Sequence, residues 1–544
     1  MSSSSKKKMR KEQEAVKLTE KQLAAQKEAK RVSLYTVLFV AAMVIILVVA
    51  IVVGVNQVIT SKGIREQKTV AMTINDHSVS NAELNYFYMS AVNQFYSTYG
   101  NYASLVGLDL TKPLDEQVVD EESGTTWAEN FLTTAKENVK AVYALADAAK
   151  AEGFTLSDED TASIDNNMST LALYAQMYGH SDANAFLKAQ YGNGANEENY
   201  RAYMELTSLA SAYQAHYSDS LTYTDADLRA ADSDDYNAYT YNTYYLSVSR
   251  FLEGGTTDAD GNTTYTDEER AAAVAAAEEA AKSLVSSDIT TLQALDDAIA
   301  ALPVNADTTA ASSAHDSTLA TAISSTYADW VKASSRKEGD LVYFPSTSTS
   351  TAEDGTETTS TDGFYVVYFV DSSDNAFALK NVRHILVSFE GGTTDSTTGS
   401  TTYSDEEKAA AKAKAEDLLS QWKSGEATED SFALLATENS TDTGSVENGG
   451  LYEDIYPGQM VTAFNDWCFD ESRMPGDTGV VETNYGYHVM YFVGDADQTY
   501  RDYLIENNLR SSDLDEWYNG LLDSVSTADG DTRYIRTDLV LNRS

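Results

Sequence analysis

The chain has 544 residues, enough for several domains, and 42% of them are hydrophobic, enough to build real cores. Its formal net charge of −46 at pH 7 makes it a poor nucleic-acid binder, because phosphate contacts need clustered Lys and Arg, so no nucleic-acid partner is expected. The single cysteine, Cys468, excludes an intrachain disulfide.

The N-terminal residues are charged oppositely to the rest. Residues 1–33 hold ten Lys or Arg against four Glu, a net of +6, so the remainder carries −52. No residue from Leu34 to Val55 is charged, and 22 residues at about 1.5 Å each span the roughly 30 Å hydrocarbon layer. Basic flanks stay in the cytoplasm, so we predict a single-pass helix at 34–55 in the cell membrane, a cytoplasmic tail at 1–33 and an extracytoplasmic body. A cleaved signal peptide is the alternative.

A mostly helical domain is predicted at 56–237. Alternating apolar residues predict a short strand at 70–74, and Ser80 with Glu83 has the spacing of a capping box that opens a helix. Helical periodicity then recurs in three long stretches, at 126–152, 157–177 and 197–218. Tyrosine-rich faces either pack inside the domain or bind unfolded chains, and their residues are Tyr86, Phe87, Tyr88, Phe95, Tyr96 and Tyr99.

The chain then repeats itself. Glu253 and Glu390 each begin a Gly/Thr-rich loop that leads into a capping box and an Ala-rich helix. The two capping boxes are Thr266 with Glu269 and Ser404 with Glu407. We predict two copies of one α+β domain, at about 238–372 and 379–495. The Ser/Thr-rich stretch 346–361 is predicted to be a flexible loop inside the first copy.

Residues 381–492 carry an ordered series of motifs. They are NVRHILVSF at 381–389, SFALLATENSTD at 431–442, ENGG at 447–450, GQMVTAF at 458–464 and GDTGVVETNYGYHVMYF at 476–492. This series resembles the parvulin domain of peptidyl-prolyl isomerases. With the strand-turn-helix at Val70, the chain resembles the SurA- and PrsA-type extracytoplasmic foldases, in which a helical chaperone domain is interrupted or followed by parvulin domains. By that analogy residues 496–544 form a helical segment that packs on the N-terminal domain.

The resemblance implies a site with an apolar side and a polar side. Met460 and Phe464 would form a slot for a proline ring, bordered by Gln459 and Tyr452. The polar side would consist of His384 and His488 on adjacent strands, with Asp442, Thr483 and Tyr485. Such a site would favour the twisted amide and needs neither metal nor cofactor.

Each site residue also has a structural interpretation. Buried histidines are often bonded only to each other or to a hydroxyl, and an aspartate such as Asp442 is common in turns. Cys468 is predicted to be a small buried hydrophobe rather than a nucleophile. The family's GGDLG is replaced by GGLYE at 449–453, which changes one wall of the slot. The loop 391–403 has no Arg or Lys, so no preference for phosphorylated Ser/Thr-Pro is expected.

The first copy lacks the histidines of the second. Leu246 or Ser247 stands where the first-strand histidine is expected, and Tyr365 replaces the second histidine. We therefore predict a degenerate parvulin-like domain without isomerase activity, acting as a spacer or a client-binding platform.

The leading hypothesis is a membrane-anchored isomerase that assists the folding of secreted or surface proteins. Its partners would be unfolded or partly folded secreted polypeptides that contain X-Pro bonds. An isomerase-inactive holdase chaperone is the second hypothesis, favoured by the altered wall at 449–453. A surface adhesin is the third, and it leaves the motifs at 381–492 unexplained.

Overall fold

The structure is a computed structural model that describes residues 3–257, 261–286, 288–306, 308–351, 355–395 and 399–541. The described side chains leave out those of residues 12–38, 40 and 101. The chain forms two compact units, one made of Met1–Thr222 with Ser512–Ser544 and the other of Tyr223–Ser511. The division at 222/223 lies 15 residues before the predicted start of the first repeat at 238.

The first unit begins as a mostly helical body. Its elements are α1 (Ser3–Ser61), α2 (Ile64–Lys68), β1 (Val70–Ile74), β2 (His77–Ser80), α3 (Asn81–Tyr99), β3 (Val118–Asp120), β4 (Thr125–Thr126), α4 (Trp127–Glu152), α5 (Asp158–Met177), α6 (Ala183–Tyr191) and α7 (Glu197–Ser220). The Ser80 hydroxyl accepts a hydrogen bond from the Glu83 amide at 3.1 Å, so the predicted cap begins α3. The predicted tyrosine-rich face is divided, because Tyr86 and Tyr88 are buried while Tyr96 and Tyr99 are exposed.

Helix α1 contains the apolar stretch. Among the described residues, Ala41–Ser61 is long and apolar enough to cross a membrane by length and composition, with a mean hydropathy of 2.7 and no buried residue. A signal sequence would pass the same test. The first residues of the predicted span at 34–55 are among those whose side chains are outside the described part.

The described residues of the second unit form two four-stranded sheets and two short two-stranded ribbons. The elements of its first half are α8 (Asp225–Ala231), β5 (Ala238–Ser247), β6 (Thr256–Thr257), β7 (Thr263–Thr264), α9 (Asp267–Leu284), α10 (Leu292–Ala300), β8 (Ser313–Leu319), α11 (Ala328–Val331), β9 (Leu341–Thr351) and β10 (Glu357–Ser373). The capping box of Thr266 and Glu269 is confirmed at the start of α9. The sheet order is β8-β5-β10-β9, and α9 packs its alanines on one face.

Residues 346–351 and 357–361 of the Ser/Thr-rich stretch are strand rather than loop, so the prediction was wrong for them, whereas 352–354 lie outside the described residues. Its described residues continue β9 and β10 as an antiparallel ribbon, with Thr351 opposite Glu357 and Thr347 opposite Thr361. Thr is β-branched and suits an extended backbone, and the hydroxyls of Thr349 and Thr359 lie 3.1 Å apart across the ribbon. Composition alone therefore misled, because Ser and Thr are frequent in loops and in exposed ribbons alike.

The second half of this unit repeats the same arrangement. Its elements are β11 (Ala378–Ser388), β12 (Thr393–Thr394), β13 (Thr401–Thr402), α12 (Asp405–Ser424), α13 (Glu429–Asn439), β14 (Leu451–Ile455), α14 (Thr462–Cys468), β15 (Thr478–Glu482) and β16 (Gly486–Thr499). The sheet order β14-β11-β16-β15 matches that of the first half position by position. The capping box of Ser404 and Glu407 is confirmed at the start of α12.

The two faces of this second sheet are covered differently. Helices α12 and α13 bury one face around Phe432, Ile385 and Val489, none of which is exposed to solvent. The opposite face carries a smaller cluster that includes Val382, Phe464 and residues contributed by α14 and β16. Because strand side chains alternate between faces, every second residue of β11 and β16 points to this thinner cover.

The chain ends in α15 (Tyr500–Asp523) and β17 (Thr527–Asp529). Strand β17 pairs antiparallel with β1, with Met72 opposite Asp529, and completes the sheet β17-β1-β2 of the first unit. Trp517 packs with Tyr213 and Leu145 of the same unit. The C-terminal segment therefore contributes a strand as well as the predicted helix.

Candidate active site

The centre of the site is a pair of histidines on neighbouring strands. In the register of β11 and β16, His384 lies opposite Met490 and Leu386 lies opposite His488, so both imidazoles point to the thinly covered face. Their Nδ1 atoms are 3.0 Å apart and the rings stack at 21°. Both side chains are buried, with 2% and 5% of their surface exposed.

A partly buried carboxylate lies beside the first histidine. Asp442 follows α13, where the Thr441 amide donates to the Leu386 carbonyl at 2.9 Å and holds the loop on β11. Its Oδ2 is 2.9 Å from His384 Nε2, and it accepts from the Ser445 hydroxyl at 2.5 Å and the Tyr452 hydroxyl at 3.0 Å. These donors, the imidazole first, hold the pKa of Asp442 well below its usual range.

The second histidine reaches a hydroxyl at its other end. His488 Nε2 is 2.9 Å from Thr483 Oγ1, in the turn between β15 and β16. Burial, with the neighbouring His384 second, lowers the pKa of His488 to about 4, so this ring is neutral at pH 7. The chain of contacts thus runs from Thr483 through both imidazoles to Asp442.

The donor direction along this chain follows from the carboxylate. An ionised Asp442 only accepts, so His384 carries a proton on Nε2. With one proton between the two Nδ1 atoms, a neutral His384 accepts from His488 Nδ1, and His488 Nε2 then accepts from the Thr483 hydroxyl. Protonating His384 at Nδ1 would reverse every bond beyond it, so the chain has two ordered states.

An apolar slot lies against this chain. The Phe464 ring contacts both imidazoles edge-on, with centroids 5.4 Å from His384 and 5.3 Å from His488. Met460 packs on the same cluster and remains partly exposed. Cys468 is fully buried beneath the slot, and burial raises its thiol pKa to about 12, as expected of an inert packing residue.

Of the remaining predicted residues, some are bonded to the site and others are exposed. Tyr452 is joined to the site through Asp442, whereas Gln459 is exposed and accepts a hydrogen bond from the Tyr456 amide at 3.1 Å. Tyr485 lies in the turn after Thr483 and is 59% exposed. Sequence reasoning missed Ser445, which is 1% exposed and lies 3.0 Å from His384 Nε2. Its only signal was a serine three residues after Asp442.

Two glycines shape the wall that carries Tyr452. Gly449 and Gly450 both have positive φ, at 72° and 74°. A Cβ on Gly450 would lie 2.1 Å from the carbonyl oxygen of His384, and the Gly450 carbonyl accepts from the His384 amide at 2.8 Å. This close backbone approach fixes β14 against the histidine strand, so the GG of the motif has a steric role.

We expect Gly450→Ala to destabilise the domain by about 2–4 kcal/mol, since it adds left-handed strain and a backbone clash. Gly458→Ala is the matched control, because Gly458 has φ 85° and open space around its Cβ position. It should cost only about 1–2 kcal/mol. Urea denaturation of the two variants gives the comparison, and equal losses would show that the approach to His384 is not tight.

The first sheet shows what replaces the histidines. Gly363 lies opposite Ser247 there, as Gly486 lies opposite Ser388, which makes Thr243 the counterpart of His384. The prediction of Leu246 or Ser247 was therefore wrong by three or four residues. Tyr365 takes the place of His488, as predicted. Thr243 is bonded to His315 of β8 at 2.9 Å.

No group of three or more His, Cys, Asp or Glu that could hold a metal ion occurs among the residues described. The site's polar atoms are bonded to one another.

The geometry agrees with the family found by sequence comparison. Residues 365–495 match the family described as the PPIC-type PPIASE domain. The predicted parvulin resemblance is thereby confirmed, and this segment is a domain of that isomerase class.

The sequence matches to individual relatives each cover a short part of the chain. Foldase protein PrsA 1 of Listeria innocua is 35% identical over 82 residues, 15% of this chain and 26% of the relative. Foldase protein PrsA 2 of Listeria monocytogenes is 35% identical over 86 residues, 16% of this chain and 28% of the relative. The chain thus covers about a quarter of the length of each of these relatives. The crystal structure of PrsA from Bacillus subtilis aligns with 73% of this chain and 85% of its own, at 15% identity and a TM-score of 0.25.

Proposed function

We propose that the chain is a membrane-anchored, extracytoplasmic peptidyl-prolyl cis-trans isomerase that assists the folding of secreted or surface proteins. The observation that carries the proposal is the hydrogen-bonded chain Thr483–His488–His384–Asp442, with both histidines buried, beside Met460 and Phe464 and inside the segment that matches the isomerase family. The anchor rests on the apolar part of α1 and on its basic flank.

The reaction is a rotation about a single amide bond, and this arrangement of residues suits it. An X-Pro bond prefers trans by only about 0.5–1 kcal/mol, yet amide resonance sets a barrier of roughly 18–20 kcal/mol. A catalyst lowers that barrier by binding the twisted amide better than either planar form. The slot would hold the proline ring while the polar chain, shielded from water, stabilises the charge that shifts between the carbonyl oxygen and the nitrogen during rotation.

Tyr452 supports a second candidate, a holdase chaperone without isomerase activity. Its hydroxyl donates a hydrogen bond to the Asp442 carboxylate and so occupies one of the acceptor positions of that group. Both candidates bind unfolded chains, so they differ only in turnover.

The test uses the full chain and a short X-Pro peptide. We expect the wild type to accelerate cis-to-trans isomerisation and the His384→Ala, Asp442→Ala double variant to lose that acceleration. Suppression of client aggregation is measured in parallel. A folded wild type that suppresses aggregation without accelerating the peptide would replace the isomerase by the holdase.

A further inference from the structure

Five aromatic rings form a continuous row beside the slot, called here the aromatic ladder. Successive ring centroids are 6.2, 5.6, 6.0 and 5.0 Å apart, in the order Phe469, Phe377, Tyr500, Tyr456 and Tyr503. None of these rings bonds to the histidine chain. The ladder therefore needs an explanation separate from that of the slot.

Topology brings the ladder to one end of the second sheet. Phe377 directly precedes β11, Tyr500 directly follows β16, and Tyr456 directly follows β14. The Tyr500 amide donates to the Phe377 carbonyl at 2.9 Å, which fixes the two rings beside each other. Tyr503 lies one turn further along α15 and stacks on Tyr456 at 25°.

The ladder is not a closed core. Phe377 is 37% exposed, and the three tyrosines are each only partly buried. Aromatic side chains left partly open in a row offer a large apolar surface at little cost in side-chain entropy, which is the surface that peptide-binding sites use.

The ladder adjoins the slot at two of its rings, Tyr456 and Phe469. The turn after Tyr456 is closed by the bond between its amide and Gln459, and Met460 of the slot follows immediately. Phe469 follows α14, the helix that carries Phe464. Tyr456 lies four residues after Tyr452 in the chain, so at the rise of an extended strand the two residues are at most about 13 Å apart.

The surface between slot and ladder is acidic. Glu453 and Asp454 are exposed on β14, between Tyr452 and Tyr456. Clustered carboxylates of one sign attract basic side chains and repel acidic ones, more strongly at low salt.

We propose that the aromatic ladder is a second subsite for the client segment whose proline occupies the slot. It takes an aromatic or large apolar side chain about four residues from the proline, and the carboxylates favour Lys or Arg between the two. This inference rests on the proposed function, since the slot must hold an X-Pro segment. It narrows the clients to extended segments that combine proline, a basic residue and an aromatic.

Peptides of two lengths test the ladder on the full chain. The short one spans only the residues next to proline, and the long ones add Lys and Phe four residues before or after it. We expect one long peptide to bind about tenfold more tightly than the short one by fluorescence anisotropy, and that ratio to fall to near one in Tyr456→Ser, Tyr503→Ser. Tyr245→Ser, which removes an exposed tyrosine from the first sheet, should keep the ratio.

The outcomes separate the two proposals. Equal affinities of long and short peptides for the wild type would overturn the ladder, and so would a ratio that survives the double substitution. Absence of isomerisation with both peptides would overturn the isomerase, whereas the affinity ratio would still decide the ladder. A gain that requires Phe but ignores replacement of Lys by Glu would overturn the basic preference.

Discussion

Replacing Asp442 by asparagine should lower kcat/KM for a short X-Pro peptide by about 10²-fold, the usual loss when a charged group of a preorganised site is removed. The shape is kept, but the amide carries no charge and its NH₂ group faces donors. In the wild type, three donors converge on Oδ2 of Asp442: His384 Nε2, the Ser445 hydroxyl and the Tyr452 hydroxyl. Without the anion, the imidazole loses the partner that fixes its tautomer.

The matched control is Asp417→Asn on α12, the helix that covers the opposite face of the sheet. Asp417 is exposed, so the same change removes a charge outside the site. We expect its kcat/KM to stay within twofold of wild type. Peptide isomerisation coupled to proteolysis measures both variants. Equal activity of Asp442→Asn and wild type would mean that the carboxylate only supports the fold.

Acid should destabilise the second parvulin copy by roughly 3 kcal/mol between about pH 7 and pH 4. The pKa of His488 is about 4 in the folded chain, against the ordinary 6.5 in the unfolded chain. Between these values the unfolded chain binds more protons, so the free energy of unfolding falls as the pH falls. Asp442, whose folded pKa is lowered, adds a further loss only below about pH 4, as its unfolded form becomes protonated.

The buried thiol of Cys468 reports this effect locally, because it is the only cysteine and is fully buried in the same domain. Labelling with a pyridyl disulfide, which reacts in acid, across a urea series gives the opening free energy at each pH. His488→Gln has no titrating group at position 488 and should show a much flatter dependence above pH 4.5. A wild-type opening energy independent of pH from 7 to 4.5 would contradict the neutral, buried state of His488.

What the sequence could predict here was decided by local signals. Ser404 with Glu407 has a capping-box spacing that acts within one helical turn, and the box is present at that position. His384 and His488 were found because each stands within a motif on its own strand. Ser445 was missed because its role depends on a loop being folded back onto β11, which one serine does not signal.

The first copy shows the limit for strands. The counterpart of His384 in the first copy is Thr243, which pairs with Val367 in a register that is regular from Gly363 to Phe369. A motif read along one strand does not reveal which residue of the partner strand stands opposite. The loop prediction for the residues of β9 and β10 failed for a related reason. The extended structure of each strand comes from pairing with the other strand rather than from its own composition.

The pairing of β1 with β17 has a consequence for biogenesis. Some 450 residues separate Met72 from Asp529, so this contact closes one of the longest loops the chain can form. If the chain is exported as proposed, residues 223–511 cross the membrane before β17 does, and the first unit lacks one of its strands until β17 has crossed. Folding should then proceed from the inserted unit outward, with an unpaired edge of β1 exposed for as long as translocation lasts. A foldase of this construction would itself pass through an incomplete, chaperone-dependent stage.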